Sequence, residues 1–260
     1  MMNISAVIVS YNEGELLDNC LSSLKTCDQL LVVDLGSTDN SMEVARRYTN
    51  QVISHTHELV VENILPDVLD DLKNDWFIRA DPDEVYSAEL LANIAKCIEG
   101  NPSAAIVKIP FQYYFFGNPL TTTVWGGIRY FPKVLNKRHV TIRKQVHMGP
   151  EVENGYQIVQ VSHDDMNAVK HYWVTSWRQL YEKHWRYLQL EGRSQYDSGE
   201  RFSWLKLMQS VVKALAFNLI KYNGWRGGFA GIFLSFFHTW YVGMSWLSLR
   251  QYQKRISADK

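Results

Sequence analysis

The sequence predicts an α/β protein: a mostly parallel central sheet with helices on both faces, plus a C-terminal helical extension. Two observations predict it. Through the first 110 residues, short apolar runs of strand length alternate with helical patterns, which implies βαβ units and a parallel sheet. From Thr175 onward only helical spacing remains.

The elements follow in order. Residues 4–10 form an apolar run bounded by the turn-like Tyr11-Asn12-Glu13-Gly14, and they read as a buried parallel strand. Leu16, Leu17, Cys20, Leu21 and Leu24 then recur at helical spacing. Residues 29–34 make a second strand, ending in a turn over 34–41 where Gly36 permits a tight bend and Ser41 caps a helix. That helix is expected to turn Met42, Ala45 and Tyr48 inward. A third strand covers 52–55. A helix covers 65–73, with Pro66 acceptable in its first turn. Residues 76–80 form the fourth strand. Ser87 caps a helix that places Leu90, Leu91, Ile94, Ala95 and Ile98 on one face, with Gly100 past its end. A fifth strand covers 105–110.

After Pro110 the pattern changes. Residues 111–117 and 125–131 are aromatic and glycine-containing, and are expected to be strands and loops lining a cleft. Strands return at 134–143 and 157–162. In the C-terminal part, Trp177, Leu180, Tyr181, His184, Trp185 and Leu188 mark one amphipathic helix, and Leu205, Met208, Val211, Val212, Leu215 and Leu219 a second. Residues 193–199 are expected to link the two. The expected organisation is a catalytic domain over 1–174, with a nucleotide-binding half at 1–100 and an acceptor half at 101–174. A helical region, facing a membrane or another protomer, covers 175–260.

Composition narrows the function classes. With 46% hydrophobic and 21% charged residues the chain is of ordinary globular type. A formal net charge of +0 gives no global field for nucleic acid. Cys20, Cys27 and Cys97 are too few and too scattered for a disulfide framework, and their spacing suits no zinc site, so a reducing compartment is expected. No basic region followed by an apolar run precedes Asn3, so no secretory signal is expected. Residues 229–249 contain no Asp, Glu, Lys or Arg, which is the length of a membrane span. Ser235, His238, Thr239, Tyr241 and Ser245 within it suit burial or a membrane surface better.

The chemistry concentrates at Asp81-Pro82-Asp83-Glu84, which follows the apolar strand 76–80. Ligands of open α/β sheets sit beyond the carboxyl ends of strands. Two carboxylates at i and i+2 can share Mg²⁺ or Mn²⁺, which keeps open positions for substrate phosphates. Its use would be to neutralise a diphosphate leaving group. Tyr11 can stack on a flat base, and Asn12 and Asp34 offer partners for a pyrimidine edge. Arg79 can pair with a phosphate or with Asp81.

Three strand-end clusters, Ser10-Tyr11-Asn12-Glu13, Asp34-Leu35-Gly36-Ser37-Thr38-Asp39 and Asp81-Pro82-Asp83-Glu84, stand in one order and spacing. Together they resemble the family 2 glycosyltransferases of GT-A fold over about residues 4–100. Within that family the chain looks most like the β-glycosyltransferases of lipopolysaccharide-core and related surface-polysaccharide assembly. The resemblance continues through Tyr130-Phe131, Val146-His147, His171-Tyr172 and residues 224–228. It implies that Ser10, Tyr11, Asn12, Glu13 and Asp34, with Ser37 and Asp39 of the second cluster, bind the nucleotide. It also implies that Asp83 is the direct metal ligand, with Asp81 holding the ribose or a metal-bound water.

Inverting transfer needs a base for the acceptor hydroxyl, across the sugar from the leaving group. Relatives tend to place a His-Glu pair near residue 147, but here Met148-Gly149-Pro150 separates His147 from Glu151. The candidates are Glu151, Glu153 and Asp165 beside Asp164; His147 is a further base candidate or, with Trp125, an acceptor or phosphate contact. The function expected is metal-dependent transfer of a hexose from a UDP-sugar to a glycan or lipid-linked acceptor. The cofactor expected is Mg²⁺ or Mn²⁺. The expected place is cytoplasmic and peripheral on the inner face of the cytoplasmic membrane, with a homo-oligomer as the competing use of the helical region. A nucleotidyltransferase would carry a Gly-rich basic loop after its first strand, where this chain has the acidic Glu13-Gly14-Glu15. A silent scaffold of the same fold is the third reading; the intact carboxylate cluster speaks against it.

Overall fold

The first apolar run extends as strand β1 (Met2–Ser10), followed by helix α1 (Gly14–Leu24), β2 (Cys27–Asp34), α2 (Ser41–Arg46) and β3 (Val52–Ser54). Then come α3 (Leu65–Val68), β4 (Trp76–Ala80), β5 (Glu84–Val85), α4 (Ala88–Glu99) and the long β6 (Ala104–Phe115). Five short strands and one longer one follow: β7 (Asn118–Pro119), β8 (Ile128–Asn136), β9 (Val140–Thr141), β10 (Glu151–Val152), β11 (Gln157–Gln160) and β12 (Val169–Val174). Helices α5 (Trp177–Asp197), α6 (Trp204–Ala216) and α7 (Gly228–Ala258) complete the chain. The structure is a computed structural model describing residues 2–58, 61–143, 149–163 and 167–258. It divides into a first unit, Met1–Gln112 with Ile128–His171, and a helical unit, Tyr113–Gly127 with Tyr172–Lys260.

The first unit is built on a sheet of order β3-β2-β1-β4-β8-β6-β12-β5. Its first four strands are parallel, and β8 runs antiparallel between β4 and β6. Register sets Ser10 beside Asp34 and Ile8 beside Ala80, so β1, β2 and β4 end at one edge. Side-chain alternation along β1 explains why both faces are covered. Ala6 and Ile8 enter a core with Leu17, Cys20 and Leu21 of α1 and Leu90, Leu91 and Ile94 of α4. Val7 and Val9 enter the opposite core with Leu65 and Val68 of α3 and Phe77 of β4. Leu17, Leu21 and Leu24 are fully buried, each contributing about 2 kcal/mol of apolar transfer energy. That anchoring fixes α1 beneath the sheet edge where the three strand-end clusters meet.

Several expectations need correction. The helix expected over 65–73 is a single turn, Leu65–Val68, followed by a 3₁₀ turn, Leu69–Asp71. Asp70 and Asp71 sit at the end where the helix dipole disfavours carboxylates. The strand expected to stop at Pro110 continues to Phe115, and Pro110 itself pairs with Tyr130. The β6–β8 ladder shifts register between Val107 and Lys108, with Lys108 facing Pro132, the irregularity by which a strand accommodates proline. The strand expected over 134–143 is two pieces, β8 and β9. Residues 193–197, expected as linker, belong to the last turns of α5.

The helical unit has its own core, in which Phe115, Trp173, Leu180 and Leu234 pack together. In it α5 approaches α7 closely at Gly192, where a Cβ would meet the Ser248 carbonyl oxygen at 2.5 Å. Asn218 is fully buried. It donates to the Ala214 carbonyl and to His238 Nδ1, each at 2.8 Å, and accepts from Val124 N at 3.2 Å. Among the described residues no helix is long and apolar enough to cross a membrane.

Candidate active site

The site is assembled at the edge where β1, β2 and β4 end. Two loops there are stitched together by side chains. Asn12, in the left-handed region at φ 55°, accepts at Oδ1 from Thr38 N (2.7 Å) and Asp39 N (3.3 Å), while its own N–H donates to Ser37 Oγ at 3.0 Å. Asp39 accepts the Gly14 N–H at the start of α1 at 3.1 Å and the Ser41 hydroxyl at 2.5 Å. Burial works to raise the Asp39 carboxyl, but these hydrogen bonds outweigh it and hold its pKa below the ordinary value. The two loops come close at Gly14, where a Cβ would meet Asn40 Oδ1 at 2.0 Å and Ser41 N at 3.1 Å. Asp34 is buried and accepts from the amides of Gly36 and Ser37 at 3.1–3.3 Å. The Tyr11 ring stands exposed at the mouth, edge-on to His57 at 4.4 Å. Ser10 Oγ is buried with no hydrogen-bond partner among the described residues, a polar atom left over at the strand end.

The third cluster is a β-turn. Glu84 N donates to the Asp81 carbonyl at 3.1 Å, and Pro82 occupies the second position, where its fixed φ suits the bend. Asp83 is therefore carried on the turn itself. Below the turn, Glu84 is fully buried and accepts at Oε2 from Asp81 N (3.1 Å) and the Tyr86 hydroxyl (2.7 Å). The Cys20 thiol of α1 donates to the Asp81 carbonyl at 3.4 Å, and burial pushes that thiol's pKa well above its ordinary value.

Two side chains from distant strands complete the cluster. Lys133 of β8, buried with only 6% of its side chain exposed, donates from Nζ to Asp81 Oδ2 at 2.7 Å and lies 2.6 Å from Glu84 Oε1. Burial alone would discharge this ammonium, but Asp81 and Glu84 outweigh it and raise its pKa. At Asp81 burial opposes ionisation, yet Lys133 and Arg79 prevail and hold the carboxyl below the ordinary range. Glu84 behaves oppositely: burial pushes it up to about 7 against the pull of Lys133. The second side chain is His171 of β12, whose Nε2 lies 3.1 Å from Asp83 Oδ2.

The donor set fits a hard divalent cation. Asp81, Asp83 and Glu84 each offer an oxygen, all within 4.8 Å of one another. Glu84 accepts from Tyr86 and the Asp81 amide and pairs with Lys133, so Asp81 and Asp83 are the better candidates to reach an ion. Neighbouring ligands of a six-coordinate ion at about 2.1 Å stand about 3 Å apart, and the Asp83–His171 separation matches that. The carboxylates suit Mn²⁺ as well as Mg²⁺.

The sequence model of the family described as Glycosyl transferase family 2 matches residues 5–148, more than half of the chain. The chain belongs to glycosyltransferase family 2. Its sheet, parallel over β3, β2, β1 and β4 and mixed beyond, with helices on both faces, is the GT-A fold. Among solved structures it is similar to glucosyl-3-phosphoglycerate synthase from Mycobacterium tuberculosis in complex with Mn²⁺ and UDP-glucose. The identity is 19%, the TM-score 0.36, and the match covers 44% of each chain. It is also similar to S. aureus TarS 1-349 in complex with UDP-GlcNAc, at 20% identity and TM-score 0.35, over 43% of this chain and 35% of that one. The match thus spans less than half the length of either structure.

Within this family 2 domain the residues singled out in the sequence fall into separate groups. Ser10, Tyr11, Asn12, Glu13, Asp34, Ser37 and Asp39 lie on the two stitched loops and the strand ends that carry them, and Arg79, Asp81 and Asp83 at the end of β4. Glu151 and Glu153 are on or next to β10, in the small β9–β10 ribbon. Both are exposed and ion-paired, Glu151 to Arg143 at 2.8 Å and Glu153 to His139 at 3.0 Å. Trp125 is in the helical unit, stacked on Trp173 at 4.5 Å between ring centroids. His147, Asp164 and Asp165 lie outside the described residues. Sequence reasoning missed Lys133 altogether, and gave no role to His171. A signal for Lys133 existed: a lone cation among Phe131, Pro132, Val134 and Leu135 in a strand must find a carboxylate.

Proposed function

We propose that the chain is an inverting, metal-dependent glycosyltransferase that moves a hexose from a UDP-sugar to a glycan or lipid-linked saccharide. Its place would be lipopolysaccharide-core or related surface-polysaccharide assembly, peripheral on the inner face of the cytoplasmic membrane. The observation that carries this reading is the Asp81–Glu84 turn, set at the end of β4 beside the two stitched loops of a family 2 domain. A divalent ion held by Asp83, with His171 and Asp81, would supply charge neutralisation for the departing UDP. The chain's own residues do the rest. Tyr11 stacks on the uracil, Asp34 and the neighbouring Asn12 loop receive the nucleoside, and Arg79 offers positive charge beside the turn. Glu151, Glu153 or Asp165 takes the proton of the acceptor hydroxyl. Lys133 keeps Asp81 charged and holds Asp81 and Glu84 in place below the sugar-phosphate site.

The test is a screen of nucleotide sugars for hydrolysis with and without Mn²⁺. Metal-dependent release of UDP from one UDP-sugar is expected; no turnover of any nucleotide sugar overturns the reading. Within it, Asp34→Ala and Tyr11→Ala are expected to weaken UDP binding about 10-fold or more while slowing the chemical step less, because loss of a stacking face or a buried acceptor costs about 1–3 kcal/mol. Calorimetric titration checks this, and unchanged affinity in both variants removes the nucleotide assignment. Glu151→Gln is expected to leave donor binding intact and lower turnover on acceptor by about 10²-fold, the usual scale for a general base. A larger loss in Glu153→Gln or Asp165→Asn moves the base to that residue.

A further inference from the structure

We propose that the outward faces of α6 and α7 form a docking surface for an anionic lipid bilayer, with both helices lying along it. The inference deepens the peripheral association proposed above and rests on that reading, but it needs no sugar transfer to be tested.

The first observation is a pair of apolar stripes where water is expected. In α7 the buried side is made by Gly231, Leu234, Ser235, Ser245 and Leu249. At about 100° per residue, Phe229, Ile232, Phe236 and Trp240 fall on the opposite side. They are 74%, 44%, 56% and 46% exposed. In α6 only Leu207 and Ala214 are buried, while Trp204, Leu205, Met208 and Val212 are each more than half exposed on another face. Ordinary surface helices put charge on such faces. Contiguous exposed apolar side chains of this size mark an interaction site.

The second observation is charge, and it selects the occupant. The helical unit carries thirteen Lys and Arg against five Asp and Glu, a net +8, in a chain whose total is +0. Cations border the stripes and lie against aromatic rings. Lys213 and Lys221 stand over Phe217, Arg226 over Trp225, and Arg250 over Trp204. Trp and Tyr rings with adjacent Lys and Arg are suited to the headgroup level of a membrane. A second copy of the same surface would bring two strongly positive units together, which a negative lipid surface does not. With no helix among the described residues able to cross the bilayer, this face lies on the membrane, its apolar side chains at the boundary of headgroup and acyl chain.

The experiment is co-sedimentation of the full chain with phosphatidylcholine vesicles, with and without phosphatidylglycerol, at low and high salt. Binding to the phosphatidylglycerol vesicles that weakens with salt is expected, with little binding to phosphatidylcholine alone. The double variant Met208→Glu/Phe236→Glu is expected to lose at least about 10-fold in vesicle affinity. Both side chains are exposed, so its circular dichroism and its vesicle-free UDP-sugar hydrolysis should match the parent's. The proposal is overturned if phosphatidylglycerol vesicles fail to bind the parent, or if the double variant binds them equally well. It is also overturned if light scattering shows a stable dimer that the double variant abolishes. A negative vesicle result with UDP-sugar hydrolysis intact would remove this surface and leave the catalytic reading standing.

Discussion

Lys133→Met is expected to lower the stability of the metal-free protein by about 3–5 kcal/mol, the usual cost of removing one partner from a buried ion pair. The side chain is only 6% exposed and lies within 2.7 Å of two carboxylates, one of which, Glu84, has no exposure at all. Methionine fills much of the space but removes the ammonium that lies between Asp81 and Glu84. The effect should depend on pH. Without the ammonium both carboxyls bind protons more readily in the folded state than they do in the parent, so the variant loses stability relative to the parent as pH rises. In the parent Lys133 holds Asp81 below the ordinary range and pulls Glu84 down from where burial would put it. The deficit is therefore smallest near about pH 5 and grows toward about pH 8. Urea midpoints of parent and variant at both pH values measure it. Equal midpoints would show that Lys133 is a spectator.

The same lysine shows where sequence reading stops. Alternating apolar runs made β1, β2 and β4 legible, because a strand buried on both faces must be apolar throughout, and Ile4, Ala6, Val7, Ile8 and Val9 are. Ser87 and Gly100 marked the ends of α4 for the same local reason, and the Ser87 side chain does accept the Leu90 N–H at 3.1 Å. The carboxylates of Asp81–Glu84 were legible as a strand-end cluster, and Pro82 at the second position of their turn is a local property too. Lys133 and His171 were not, because they meet Asp81 and Asp83 across 52 and 88 residues of chain. Their placement depends on β8 inserting antiparallel between β4 and β6 and on β12 pairing with β5. No periodicity encodes that order. Strand length failed for a related reason: a proline reads as a stop, yet β6 runs through Pro110 because the β8 ladder beside it is irregular. The limits of α5 were lost to polar residues 193–197, whose surface position tolerates any good helix former.

Asp83→Ala is expected to abolish sugar transfer, by about 10³-fold or more, while leaving the fold in place. Several kcal/mol of transition-state stabilisation from a Lewis acid correspond to that factor. The turn does not depend on the Asp83 carboxylate: the Glu84 N–H to Asp81 carbonyl bond, Pro82, and the Glu84 contacts to Tyr86 and Lys133 hold it. What the variant loses is the carboxylate whose Oδ2 lies 3.1 Å from His171 Nε2. Asp81→Ala should cost less activity, because its Oδ2 is committed to Lys133 and only the other oxygen is available to a ligand. It should cost more stability, because Lys133 then keeps Glu84 alone. The two variants thus separate by degree: Asp83→Ala loses more turnover with the smaller fall in melting temperature, and Asp81→Ala loses less turnover with the larger fall. Turnover of the UDP-sugar in Mg²⁺ and in Mn²⁺, beside thermal melts followed by circular dichroism, resolves them. Near-parental turnover of Asp83→Ala in both metals would mean that the ion, if the enzyme uses one, is not held at this turn.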